Sequence, residues 1–251
     1  MSYSIALAGK GGTGKTTLAG LAVKYLVEKG KRPVLAVDAD SNANLNEVLG
    51  LEVSTTLGQA REEMKKGVSA GMTKDVFMEM RLQEAVVEAE GFDLIVMGRP
   101  EGAGCYCAAN TLLTQYLDRL IDNYPYIVMD NEAGMEHISR LTTNNIDMLL
   151  VVSDPTRRGL QAAARIVELT EELNLSIRKK LTIVNQARDG QEPAILQSAA
   201  ALGLQVAGFV PEDEELAEFD LQGRPTTLLG PHNRAVSADK IWGVGGPKEP
   251  F

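Results

Sequence analysis

Residues 9–16 read Gly-Lys-Gly-Gly-Thr-Gly-Lys-Thr and match the phosphate-loop pattern G-x-x-x-x-G-K-[ST]. The apolar run Ile5–Ala8 precedes this stretch, and a helical pattern of apolar residues follows it from Leu18 to Leu26. A strand, a glycine-rich loop and a helix in this order bind phosphate, because loop N–H groups and the helix N-terminus both attract anions. The sequence therefore predicts a nucleotide site near the start of the chain.

The residues expected to contact the nucleotide are Gly11, Gly12, Thr13, Gly14, Lys15, Thr16 and Thr17. In such loops the lysine reaches the β and γ phosphates, which is the role we expect for Lys15. The hydroxyl of Thr16 is expected to ligate Mg²⁺. A nucleoside triphosphate or diphosphate and Mg²⁺ are therefore the expected cofactors.

The composition is that of an ordinary globular chain. Its 251 residues are 44% hydrophobic and 24% charged, which suits one α/β domain over residues 1–251. The net charge of −9 argues against a nucleic-acid partner, since phosphate neutralisation needs clustered Lys and Arg. No stretch approaches the roughly 20 apolar residues that span a bilayer, so no membrane partner is expected. The N-terminus leads directly into the first apolar run, so we expect a cytoplasmic protein.

Continuous apolar runs alternate with helical patterns along the chain. Such runs are typical of strands buried on both faces, and helices between them give parallel pairing. We therefore predict an α/β fold of the P-loop NTPase class, with a mostly parallel sheet of seven to eight strands and helices on both faces. The runs are Ile5–Ala8, Pro33–Asp38, Leu94–Met97, Tyr126–Asp130, Met148–Ser153, Leu181–Asn185 and Gln205–Val210.

Two segments differ from this alternation. Residues 52–92 carry charged helical patterns and little strand signal, so we interpret them as a helical insertion beside the nucleotide. Residues 242–251 include Gly-Val-Gly-Gly-Pro and are expected to be a loose C-terminal tail.

Acidic residues end two of the predicted strands, at the sheet edge where ligands of parallel sheets bind. Asp38 and Asp40 lie two residues apart and therefore on one face of a strand. One could help hold the Mg²⁺ shell while the other orients an attacking water, or both could begin a loop and cap the next helix. Asp130 follows apolar residues, which is the Walker B arrangement of an acid that reaches the metal through water or the loop threonine.

The two cysteines, Cys105 and Cys107, lie in a glycine-rich stretch after the Leu94–Met97 run, at the same sheet edge. One C-x-C supplies two thiolates, and a two-fold dimer that joins two copies would supply four. Such a shell suits Zn²⁺, Ni²⁺ or an iron–sulfur cluster. The spacing alone leaves a structural or redox-inert pair equally open.

Lys10 lies inside the phosphate loop, and the stretch from Lys10 to Thr16, K-G-G-T-G-K-T, resembles the deviant Walker A ATPases. In that family two subunits sandwich two nucleotides, and the signature lysine contacts the phosphate held by the partner. The resemblance implies ATP hydrolysis, with Asp40 activating the water and Asp38 supporting it beside the nucleotide. The catalytic residues that it implies are Lys10, Lys15, Asp40 and Asp130.

The same resemblance suggests residues for the base. Asn185, at the end of a predicted strand, corresponds to the asparagine that hydrogen-bonds adenine, although an asparagine there can equally start a turn. The segment that would pack over the purine includes Pro211, Glu212 and Asp213.

Residues 97–110 and 130–137 together resemble the CooC-type accessory ATPases, which assist nickel insertion into carbon monoxide dehydrogenase. The resemblance extends from the phosphate loop to about Asp213. It implies an ATP-driven homodimer in which Cys105 and Cys107 of both subunits bind one Ni²⁺ or Zn²⁺ at the interface. The implied recipient is carbon monoxide dehydrogenase, or the related acetyl-CoA synthase. A bridging [4Fe–4S] electron donor is disfavoured, because the stretch 130–137 contains no cysteine.

Two other functions remain open at this point. The protein could store or sense a metal, with the nucleotide acting only as a switch. It could also be a positioning ATPase of the MinD/ParA type, which would require a basic membrane-binding helix or a basic DNA-binding face. Residues 242–251 contain neither feature, which disfavours the positioning function.

Overall fold

The computed structural model describes residues 2–42, 44–66, 71, 73–98, 120, 123–131 and 146–237. The strands of this part of the chain are β1 (Tyr3–Gly9), β2 (Val34–Ala39), β3 (Val86–Ala89), β4 (Phe92–Val96), β5 (Tyr126–Asn131), β6 (Ile146–Ser153), β7 (Ile177–Ala187) and β8 (Val206–Pro211). Its helices are α1 (Lys15–Glu28), α2 (Leu45–Leu49), α3 (Leu57–Lys66), α4 (Lys74–Glu84), α5 (Arg157–Glu172), α6 (Glu192–Ala200) and α7 (Glu214–Leu221), and a 3-10 turn spans Thr226–Leu228.

The strands form one eight-stranded sheet over the described residues, in the order β3-β4-β2-β5-β1-β6-β7-β8. All neighbouring pairs are parallel except β3 and β4. The predicted fold class is therefore confirmed. Because β1 lies between β5 and β6, the loop after β1 opens at the centre of the sheet, where the carboxyl ends of β2 and β5 also lie.

The core has two parts, one on each face of the sheet. Ile5 and Leu7 of β1 belong to the cluster that contains the buried residues of α1, whereas Ala6 and Ala8 belong to the cluster that contains Leu160 of α5. Successive strand residues point to opposite faces, so both faces need apolar side chains. This explains why the apolar runs are continuous and shows that helices cover both faces.

Each of the seven apolar runs lies on a strand, namely β1, β2 and β4 to β8. The eighth strand, β3, lies within residues 52–92, where helices were expected. It is a short antiparallel edge strand that pairs with β4, from Val86 opposite Ile95 to Ala89 opposite Phe92. Four partly exposed residues give little periodicity, and the pairing depends on the tight turn at Gly91, where φ is 88°.

The helical part of residues 52–92 consists of α3 and α4, which contact each other. Their assignment as an insertion remains a prediction, and residues 242–251 lie outside the described part of the chain. Among the helices of the described ranges, none combines the length and the apolar character that crossing a bilayer requires.

Gly9 ends β1 in close contact with β6, so a methyl group there is expected to destabilise the sheet. A Cβ on Gly9 would lie 2.3 Å from the backbone oxygen of Val152, a contact that side-chain rotation cannot relieve. We expect Gly9→Ala to lower the free energy of unfolding by about 1–3 kcal/mol in urea denaturation. Gly230→Ala is the control, since nothing lies within 4 Å of its Cβ. Equal stability of the two variants would show that β1 and β6 can separate at little cost.

Candidate functional site

The phosphate loop connects β1 to α1 and takes a conformation that requires glycine. Gly12 and Gly14 have φ values of 80° and 85°, in the left-handed region that favours glycine. A Cβ on Gly14 would also lie 2.3 Å from the Nδ2 atom of Asn185. Helix α1 begins at the next residue, Lys15, so its free N–H groups open towards the loop. The geometry is that of an anion-binding turn.

Both ends of the loop converge on the backbone oxygen of Lys10. It accepts hydrogen bonds from the Thr13 hydroxyl at 2.8 Å and, at 3.4 Å, from the Thr13 amide and the Lys15 ammonium group. Lys15 is buried, and its ammonium group points back to the backbone of the loop. Lys10 itself is exposed, and its contact with a phosphate held by a second subunit remains a prediction.

Asp130 is buried at the end of β5, and its carboxylate accepts a hydrogen bond from the Thr16 hydroxyl. Its Oδ1 atom has no hydrogen-bond partner among the described residues. Burial raises the pKa of Asp130 to about 6, although the Thr16 hydrogen bond and the charge of Lys15 oppose this shift. An unpartnered carboxylate oxygen beside a threonine hydroxyl is a donor set that fits Mg²⁺. The prediction that Thr16 and Asp130 share one site therefore has a geometric basis.

Asp38 and Asp40 have different surroundings although they are two residues apart. Asp38 is 0% exposed, and its two carboxylate oxygens accept the amides of Asp40 and Leu45 at 3.1 and 2.9 Å. Burial is the largest cause that raises the pKa of Asp38 to about 7. Asp40 is only partly buried and accepts the Asn42 amide at 2.8 Å. Asp38 therefore makes the contacts expected of an acid that begins a loop and caps the next helix. Asp40, in contrast, faces an open cavity.

This cavity has a volume of about 900 Å³ and extends from the phosphate loop to the end of β8. The predicted site residues that line it are Gly11, Gly12, Gly14, Lys15, Thr16, Thr17, Asp40, Asn185, Pro211, Glu212 and Asp213. The predicted residues Lys10, Thr13, Asp38 and Asp130 are not among its lining residues. The structure thus gathers most of the expected nucleotide residues around one space.

Other lining residues were missed by sequence reasoning. They are Asn42, Asn44, Glu47, Val48, Gln186, Leu216, Ala217, Asp220, Gly223, Arg224 and Thr226. Those of α2 and α7 stand close in sequence to the predicted aspartates, so proximity to Asp40 and Asp213 was an available signal. The segment 223–226 carries no motif, and it reaches the cavity because the 3-10 turn Thr226–Leu228 packs on α1, α2 and α7.

Asn185 lines the cavity and also contacts the phosphate loop. Its Nδ2 atom donates to the backbone oxygen of Thr13 at 2.9 Å, and the side chain is buried. Strand β7 has a register shift between Val184 and Ala187, and Gln186 within it has a φ of 57°. This irregularity is a β-bulge, a feature that is common next to active sites, where it changes the direction of a side chain. One amide hydrogen of Asn185 thus supports the loop, and its contact with adenine remains a prediction.

Glu212 and Asp213 also have partners within the protein. Glu212 accepts a hydrogen bond from Arg188 at 2.8 Å. Asp213 caps α7 through the Leu216 amide and accepts a hydrogen bond from Asn233 at 2.8 Å. Their contacts hold the post-β8 segment in place beside the cavity, and packing over a purine is untested for both.

Cys105 and Cys107 lie outside the described residues. Within residues 2–42, 44–66, 73–98, 123–131 and 146–237, no group of three His, Cys, Asp or Glu side chains could hold a metal ion. The thiolate site therefore remains a prediction from the sequence.

Comparison with known proteins gives relatives over nearly the whole chain. The family model described as CobQ/CobB/MinD/ParA nucleotide binding domain matches residues 4–226. An uncharacterized ATP-binding protein of Methanocaldococcus jannaschii is 44% identical over 237 residues, which cover 92% of this chain and 93% of that protein. The carbon monoxide dehydrogenase accessory protein CooC of Rhodospirillum rubrum is 32% identical over 247 residues, covering 90% of each. A crystal structure of a ParA family ATPase from Chlorobium tepidum shares the fold, with a TM-score of 0.73 at 19% identity over 96% of this chain and 98% of that chain.

Asp130→Asn is expected to stabilise the nucleotide-free protein, because it removes a buried charge that lacks a full set of partners. The folded-state pKa of about 6 exceeds the ordinary value of 3.8, so the charged form opposes folding above pH 6. In EDTA at pH 8, we expect a free energy of unfolding higher by about 1–3 kcal/mol. The difference should shrink as the pH falls through 6, where wild-type Asp130 takes up a proton.

Urea denaturation at pH 8 and pH 5 measures this difference. In the same samples, ADP with Mg²⁺ should raise the melting temperature of the wild type more than that of the variant. A variant that is less stable at pH 8, or equally stabilised by Mg²⁺ with ADP, would contradict the assignment of Asp130.

Proposed function

This chain belongs to the CobQ/CobB/MinD/ParA family of nucleotide-binding domains, and from that premise we propose that it is an ATP-dependent metallochaperone. A nucleotide-bound homodimer would bind Ni²⁺ or Zn²⁺ through Cys105 and Cys107 of both subunits. It would assist nickel insertion into carbon monoxide dehydrogenase or acetyl-CoA synthase. The observation that carries the ATPase part is the grouping of Lys15, Thr16 and Asp40 around one cavity. Beside Thr16, the Asp130 carboxylate has an oxygen without a hydrogen-bond partner among the described residues.

ATP binding is supported by the contacts of the phosphate loop. The phosphates would take the place opposite the loop amides, and Lys15 would exchange the Lys10 backbone oxygen for phosphate oxygens, which are stronger partners because they are charged. Thr16 and Asp130 would hold Mg²⁺, which when bound neutralises charge on the phosphate oxygens. The adenine and ribose would extend towards Asn185 and the post-β8 segment.

Hydrolysis would use Asp40 at the open side of the cavity. Its carboxylate would orient a water molecule and take a proton from it as the water oxygen bonds to the γ phosphorus. The bond between that phosphorus and the bridging oxygen to the β phosphate breaks, and ADP and phosphate leave. Lys10 of a second copy would add positive charge while negative charge develops. This use of Lys10 accounts for a side chain that its own loop leaves exposed.

The metal part of the proposal is supported by the sequence and by one contact. The 32% identity to CooC covers the region of the C-x-C block. In the structure the Met97 amide donates to the backbone oxygen of Asp38 at 2.9 Å, and the segment that leads to Cys105 departs directly after it. Gly98 packs on Thr56, where a Cβ would lie 2.6 Å from the hydroxyl. The cysteine segment thus starts beside the loop that carries Asp40, which would let nucleotide state act on the thiolates.

Phosphate release by three variants tests the ATPase. We expect Asp40→Asn to reduce kcat by about 100-fold or more while ATP binding persists, because the loop contacts remain. Lys10→Ala should lose both turnover and ATP-dependent dimerisation in sedimentation. Lys29→Ala is the matched control, an exposed lysine at the opposite end of α1. Wild-type release equal to that of Asp40→Asn would instead favour a nucleotide-switched storage or sensor protein.

Metal analysis combined with sedimentation tests the cargo site. The wild type with ATP and Ni²⁺ or Zn²⁺ should retain about one metal ion per dimer, because four thiolates complete a shell. The Cys105→Ser/Cys107→Ser variant should lose the metal and still bind ATP. One metal ion per monomer, or retention by the double variant, would overturn the shared interfacial site.

A further inference from the structure

We propose that Asp38 is a positioning residue for ATP hydrolysis, which holds the loop after β2 so that Asp40 faces the cavity, and which touches neither nucleotide nor Mg²⁺. This role rests on the proposed ATPase function and deepens it. It also replaces the sequence-based expectation that Asp38 contributes directly to the cofactor site.

The first support is the set of partners of the Asp38 carboxylate. Oδ1 accepts the Asp40 amide at 3.1 Å, and Oδ2 accepts the Leu45 amide at 2.9 Å. These two amides stand at the two ends of the short loop between β2 and α2. One carboxylate therefore closes the loop from inside, and each of its oxygens is already engaged.

The second support is the location of Asp38 relative to the cavity. The residue is 0% exposed, and it is not among the residues that line the nucleotide cavity, whereas Asp40 is. A side chain with no exposed surface and two backbone partners has little capacity left for a ligand. Its effect on the reaction must therefore pass through the backbone of the loop.

The third support is the rigidity of the backbone around Asp38. In the sheet, Asp38 of β2 lies opposite Val96 of β4 and opposite Asp130 of β5. Its backbone oxygen also accepts the Met97 amide at 2.9 Å. The loop is thus attached to Asp38, which is fixed between two neighbouring strands and lies opposite Asp130, the acid beside Thr16. This arrangement sets where Asp40 stands relative to Asp130.

The chemistry of the contact predicts which substitutions fail. A carboxylate offers only acceptors, so it satisfies two N–H donors at once. An asparagine must turn its NH₂ group towards one of them, which leaves a buried amide without an acceptor. The loop would then lose one of its two attachments while the volume of the side chain stays nearly unchanged.

Steady-state ATPase measurements on the full-length chain test the proposal. We expect Asp38→Asn to lower kcat by about 100-fold, because a misplaced catalytic group costs that much. The KM for ATP and the Mg²⁺ concentration that gives half-maximal activity should stay within about threefold of the wild type. Normal kcat, or a weaker Mg²⁺ dependence at unchanged kcat, would overturn the positioning role.

Asp147→Asn is the matched control for general destabilisation. Asp147 also accepts a backbone amide, that of Ser4 at 3.0 Å, but it lies at the opposite end of the parallel strands from the nucleotide cavity. The same substitution there replaces a carboxylate that accepts both the Ser4 amide and the Arg178 guanidinium by a side chain that can accept only one of them, and it should leave kcat unchanged. A similar loss of kcat in both variants would show that Asp38 acts only through stability.

Hydrogen exchange gives a second measurement that does not depend on turnover. In wild-type protein without nucleotide, the Asp40 and Leu45 amides should exchange at least about tenfold more slowly than the Ser41 amide, since only the former are held by Asp38. In Asp38→Asn that protection should fall, while protection in β1 and α1 persists. If the wild type hydrolyses no ATP, the proposed function fails. Hydrogen exchange would still test whether Asp38 holds the Asp40 and Leu45 amides. Unprotected Asp40 and Leu45 amides in the wild type would overturn it.

Discussion

Two buried carboxylates at adjacent strand ends are the constraint on which this site depends. Asp38 and Asp130 lie opposite each other in β2 and β5, and both are almost completely removed from solvent. Burial without full compensation disfavours the charged form, which is why the pKa values of both are raised. The centre of the sheet therefore holds charge at a cost in stability, and that cost makes it receptive to cations and N–H donors.

The structure compensates the two acids in different ways. Asp38 is satisfied by backbone amides, so its charge serves to hold a loop. Asp130 has only the Thr16 hydroxyl and the nearby charge of Lys15, and one of its oxygens stays without a partner among the described residues. One acid thus fixes local structure, while the other keeps capacity for a ligand. Because Asp38 and Asp130 are neighbours, one edge of the sheet has both a fixed loop and a side chain that can bind a ligand.

The same edge also brings together the two activities that we propose for this protein. The Asp38 backbone joins β4 through Met97, and the chain towards Cys105 leaves from that point. A change in the loop around Asp40 during ATP binding or hydrolysis therefore has a short covalent and hydrogen-bonded path to the cysteine segment. Coupling of this kind would require no separate domain, since β2 and β4, the strands that precede the two segments in the sequence, are neighbours in the sheet.

Local chemistry determined much of this protein from the sequence alone. The motif at residues 9–16 predicts its turn because the left-handed φ values at Gly12 and Gly14 strongly favour glycine. The continuous apolar runs predict buried parallel strands, because both faces of each strand must be covered. Asp40 lines the cavity, and its position just after a strand end is a local property of the sequence, whereas its catalytic role remains a prediction.

Only the tertiary structure decided which partner each polar side chain has. β3 requires β4 beside it, Asn185 requires the backbone oxygen of Thr13, and the segment 223–226 reaches the cavity by packing of the 3-10 turn on α1, α2 and α7. Asp38 and Asp40 look alike in sequence, yet one is buried against two amides and the other is open to the cavity. The sequence specifies the types and spacing of the charged groups. Their burial and partners depend on contacts between distant segments, which no local pattern contains.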